Sequence, residues 1–82
     1  MLSATNSCKC GPYVFQPTKY DENDNLYCAI YRNGAHGPKC KMTILYKFNE
    51  SIYDIIWVEK SWLNHNHKKM LNWFLKQYDW ID

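Results

Sequence analysis

Four cysteines and three histidines are many for a chain of 82 residues. Cys8 and Cys10 lie two apart, as do His65 and His67, while Cys28, Cys40 and His36 stand separately. In a small domain such residues either pair as disulfides in an oxidising compartment or hold a metal ion. Four cysteines permit three pairings, and a disulfide-stapled secreted protein is one reading. The histidines favour the metal. In an extended segment His65 and His67 point to one face, about 6–7 Å apart, close enough to share an ion. Neutral imidazole and thiolate are the ligands Zn²⁺ prefers, four of them in a structural site. Cys28 and Cys40 complete the expected set of Cys28, Cys40, His65 and His67, because each adjoins a strand-like segment that could carry it to the ion. A single structural zinc would then supply stability that a core this small lacks. Cys28 also reads as a small buried hydrophobe. Cys8 and Cys10 could form a free dithiol, join a second site, or displace the histidines in a four-cysteine site. His36 reads as a surface residue.

The elements that must position these groups are legible from periodicity. Residues 1–12 read as coil, and YVFQPTKY at 13–20 as an edge strand, since Pro17 bars a central place. DENDN at 21–25 reads as a turn, where Asp and Asn side chains satisfy local backbone groups. LYCAIY at 26–31 is a strand and NGAHGPK at 33–39 a loop. In KMTILYKF at 41–48, apolar and polar residues alternate, the mark of a half-buried strand. IYDIIWVE at 52–59 is nearly all apolar and predicts a strand covered on both faces. From NHKKMLNWFLKQYD, apolar residues at steps of three and four predict a helix over 68–79 whose broad apolar stripe covers the sheet or meets a partner. In a tight hairpin Cys28 would lie about 13 Å from the level of Cys40. The zinc reading therefore requires the strand to end near Cys28 and residues 29–39 to form a bulge or inserted loop.

Composition sets the outer bounds. The length allows one small domain, 1–82, with 13–60 as sheet and 61–67 as the metal-binding segment. Aromatics at 17% and a hydrophobic fraction of 46% argue against disorder. No apolar run approaches a membrane span, and MLSATNSCKC has neither the charged start nor the apolar stretch of a secretion signal. The formal charge of +2 is mild. Its placement is not: acids crowd into Asp21, Glu22 and Asp24, while Arg32, Lys39, Lys41 and Lys47 follow with no acid between them.

The stretch from Tyr27 to His67 resembles the WRKY–GCM superfamily of zinc fingers, nearest its FLYWCH and FAR (far-red-impaired-response) branches. The features that carry this are an aromatic before the first cysteine (LYCAI), a second cysteine opening a strand (CKMTILYKF), an aromatic strand (IIWVEKSW) and then LNHNH. The WRKY heptad has no counterpart, since CKCGPYV occupies its register. The resemblance implies a four- to five-stranded antiparallel sheet stapled by zinc, which with the one C-terminal helix read from periodicity makes the expected fold α+β and mainly antiparallel β. It also implies a nuclear DNA-binding domain of a transcription regulator or transposon-derived protein, not an enzyme, that contacts duplex DNA through the sheet. Lys9, Lys19, Tyr20, Arg32, Lys39, Lys41 and Lys47 are the expected DNA contacts, with Arg32 suited to bidentate recognition of guanine. The alternative is a zinc-stabilised protein-interaction module using its aromatic surface, with the C-terminal helix available for a protein partner or a homodimer. An HNH nuclease would need carboxylates beside the histidines, and none stands near them in the sequence.

Overall fold

A computed structural model describes residues 2–64 and 66–81. Five strands form one antiparallel sheet in sequence order: β1 (Cys8–Cys10), β2 (Tyr13–Tyr20), β3 (Leu26–Gly34), β4 (Gly37–Lys47) and β5 (Ile52–Val58). A 3₁₀-helix spans Lys60–Asn64, and α1 (His67–Gln77) is the one α-helix among the described residues. The α+β class and the C-terminal helix are as the sequence predicts.

Alternation builds the core. Phe15 on β2, Leu26, Cys28 and Ile30 on β3, and Met42, Ile44 and Tyr46 on β4 face one way and are buried. Trp62, Leu71, Phe74, Leu75 and Tyr78 close over them. Phe15 is the centre, stacked on Phe74 at 5.6 Å between ring centroids and tilted against Tyr78 at 5.3 Å. Both buried tyrosines keep a partner for the hydroxyl, as rings of this type require. Tyr46 donates to the Trp80 carbonyl and Tyr78 to the Asn6 carbonyl. After the helix, Asp79 takes a φ of 59° and the Trp80 N–H reaches back to Leu75 O at 3.1 Å. This left-handed reversal folds Trp80 down to stack on Tyr46 at 4.7 Å.

Four expectations need correction. Residues 1–12 are not all coil: Cys8–Cys10 pairs with Tyr13–Phe15, because Gly11, at φ 60°, permits the tight reversal between them. β2 is accordingly flanked on both sides. Pro17 is tolerated because β1 ends at the level of Phe15, and the register shifts just after it. The segment 33–39 is a tight hairpin rather than a loop. Ala35 and His36 turn the chain, and Gly37 takes φ 94°, a conformation cheap only for glycine. Finally, β5 is an edge strand covered on one face. Ile52, Ile56 and Trp57 are 47%, 53% and 47% exposed, because a meander places its last strand outermost and α1 covers only one side.

Truncating Phe15 removes the ring on which Phe74 and Tyr78 rest. Phe15→Ala should cost about 3–5 kcal/mol, read as a lowered denaturant midpoint, with an unchanged midpoint ruling out this core.

Candidate nucleic-acid interface

The expected metal ligands fall in separate places. Cys28 pairs in register with Pro17 and Ile44 and is 1% exposed, its thiol directed at the Leu26 carbonyl. Cys28 is thus a core thiol, and burial pushes it up to about 12. Cys40 pairs with Tyr31, four residues along β4 from the partner of Cys28, which is about 13 Å of strand. The two cysteines also occupy opposite faces: Cys28 shares the core face with Ile44, Cys40 the open face with Tyr31. His67 opens α1, half-buried near the Trp62 ring, and His65 lies outside the described residues. Among the described residues no three His, Cys, Asp or Glu side chains are grouped to hold an ion. The set therefore does not fit one tetrahedral zinc, and the cause is the register: the tight hairpin replaces the inserted loop that the zinc reading requires. Cys8 and Cys10 lie half-buried against the core, and His36 is exposed at the hairpin turn.

The expected DNA contacts divide into two groups. Arg32 and Lys39 are direct cross-strand partners near the tip of the β3–β4 ribbon. With Lys41 and His36 they line a concavity of about 230 Å³. Lys41 is the extra residue where β4 shifts register, and it is ion-paired with Glu59. That pairing, with its hydrogen bond, holds the Glu59 carboxyl below its usual range. Lys9, on β1, shares the open face with Val14 and Tyr31 close to the same end. Lys19, Tyr20 and Lys47 lie at the opposite end. Lys19 sits over the Tyr27 ring at 5.5 Å, and Lys47 pairs with Asp54 at 3.0 Å.

The register also sorts the remaining charges. Lys60 follows β5 at the ribbon end. The first turn of α1, with Lys68 and Lys69, starts beside Trp62, which stacks on Tyr13, the β2 partner of Arg32. Seven of the ten Lys and Arg residues thus lie toward one end: Lys9, Arg32, Lys39, Lys41, Lys60, Lys68 and Lys69. Glu59 is the one carboxylate with them among the described residues. Asp21, Glu22, Asp24, Glu50, Asp54 and Asp79 lie toward the other end. Lys60, Lys68 and Lys69 were absent from the expected contacts. The signal for two of them is NHKK itself, a helix start carrying lysines and no acid.

Two features of this end are locally unfavourable. Like charges directly opposite across an antiparallel pair repel, as Arg32 and Lys39 do; among the described residues neither forms an ion pair, and Glu59 acts on Lys39 only at longer range. Lysines in the first turn of a helix oppose its dipole. Both costs fall where an anion would relieve them.

No protein-family model, curated protein or solved structure matches the chain.

Because the hairpin register holds Cys28 and Cys40 on opposite faces of the sheet and about 13 Å apart along the strand, a chelator with reductant at pH 7 should leave the far-UV circular dichroism and melting temperature unchanged. Loss of structure would restore the zinc reading. Under the same conditions Cys28 should resist alkylation while Cys40 reacts.

Proposed function

We propose that this domain binds nucleic acid, duplex DNA foremost, through its basic end, with the β3–β4 ribbon entering the major groove. The observation that carries this reading is the separation of charge along the molecule, with cations gathered at the ribbon and acids at the far end. A net charge of +2 hides it. Phosphate affinity depends on cations that converge on one surface, and long-range steering depends on the field they sum to.

The shape agrees. A major groove about 12 Å wide admits a two-stranded ribbon. Here β3 and β4 run well past β5, whose last partner on β4 is Met42, and past the β2 side, which reaches Asn33 through its N–H bond to Pro12 O, by the tip residues 34–37. Gly34, Ala35 and Gly37 keep the tip slender. Arg32 supplies the planar fork that reads guanine, and Lys39, Lys41, Lys60, Lys68 and Lys69 supply phosphate contacts. The acidic turn at 21–24 is held away from the duplex. Asp21 fixes that turn by accepting hydrogen bonds from the backbone N–H groups of Asn23 and Asn25, both at 2.8 Å. Lys19, Tyr20 and Lys47 lie outside this interface.

Affinity for random-sequence duplex should fall steeply with salt. Lys39→Ala should reduce the slope of log affinity against log salt by about one, and Lys47→Ala should leave it unchanged. Glu59→Gln, which releases Lys41, should tighten binding severalfold at low salt. Salt-independent affinity, or equal losses from Lys39→Ala and Lys47→Ala, would overturn the assignment.

A further inference from the structure

On the open face of the ribbon, behind the cations, lies a second concavity. It has a volume of about 160 Å³ and is lined by Val14, Gln16, Tyr31, Asn33 and Pro38. Pockets for whole small molecules run from roughly 300 to 1,000 Å³. This one is the size for a single flat ring system. Its floor and walls are apolar, from Val14, the Tyr31 ring and Pro38. Its polar groups are two amides, each with a donor and an acceptor. Gln16 spends its Nε2 on the Pro17 carbonyl at 3.0 Å, which leaves the amide oxygen to accept. Asn33 uses its backbone N–H on Pro12 O at 2.8 Å, and its side chain makes no hydrogen bond among the described residues. No carboxylate lines the concavity, and Lys9, the register partner of Val14, stands at its margin on the same face.

An aromatic ring to stack on, an apolar wall, two amides for a Watson–Crick edge and an adjacent cation together form the chemistry that receives an unpaired nucleobase. We infer that this concavity takes one extrahelical base of the bound nucleic acid, so that the domain prefers duplexes carrying an unpaired nucleotide over fully paired ones. The inference rests on the nucleic-acid reading above and names the substrate class within it. The preference has a simple energetic origin: a paired base must be unpaired and unstacked before it can enter, whereas a bulged base has already lost most of those contacts.

The test compares a blunt duplex with the same duplex carrying one bulged nucleotide, by fluorescence anisotropy at fixed salt. The bulged probe should bind about tenfold more tightly. Tyr31→Ala should bring it to the level of the blunt probe and leave blunt-duplex affinity unchanged. Tyr31→Phe, which keeps the ring, should retain the preference. Asn33→Ala, at an exposed position, should weaken the bulged probe severalfold without disturbing the fold. Equal affinity for the two probes, or a Tyr31→Ala loss shared equally between them, would overturn the inference while leaving the nucleic-acid reading in place. Absence of salt-dependent binding to either probe would overturn both.

Discussion

The register of the β3–β4 hairpin is the constraint on which the molecule depends. It is fixed by a turn two residues long, closed by Gly34 and Gly37, with Gly37 in a left-handed conformation that other residues adopt at a cost. Because side chains alternate along a strand, a slip of one residue would exchange the two faces of the sheet. In the observed register Cys28, Ile30, Met42 and Ile44 enter the core, Tyr31 and Cys40 face outward, and Arg32 stands against Lys39. The buried thiol, the open-face concavity and the paired cations are consequences of that one alignment.

The core is one-sided. A single helix of eleven residues covers the sheet, and it does so with aromatic side chains that reach across several strands, chiefly Phe74, Tyr78 and the folded-back Trp80. Large rings suit a chain this short, since each removes much apolar surface from water for few ordered residues. The uncovered face and the β5 edge are what remains. That edge is blunted by a register shift near its middle, at Ile56, and by Asp54 held by Lys47. Such features keep an exposed strand from pairing with another chain. The apolar residues on β5 are therefore weaker grounds for a protein partner than their exposure suggests.

Charge is where local preference and the whole molecule disagree. Cations face each other across the ribbon, and lysines open a helix that has no acid in its first turn and no side-chain cap. Neither arrangement helps the fold. Both become favourable once phosphate lies against the same end, where Glu59 is the one carboxylate among the described residues and the other described acids stand at the far end of the strands. Local inconsistency of this kind is where functional demand is expected to override stability.

The sequence alone determined the antiparallel strands, the C-terminal helix and much of the core, because periods of two and of three to four are local properties of the chain. Met42, Ile44 and Tyr46 alternate on β4, and Leu71, Phe74, Leu75 and Tyr78 form the helix stripe, without reference to anything distant. The chain also displayed its acidic turn and its basic middle and end. It did not determine which cysteines meet. Spacing between Cys28 and Cys40 is compatible with either a bulged loop or a tight hairpin, and the glycines at 34 and 37 decide that only once the strands pair. Nor could it show that Lys60, Lys68 and Lys69 join Arg32 and Lys39, or that Tyr31 and Asn33 line a hollow with Val14 and Gln16. Those groupings arise from the strand register and from the connection that brings the helix back across the sheet, and contacts between residues distant along the chain exist only after it has closed.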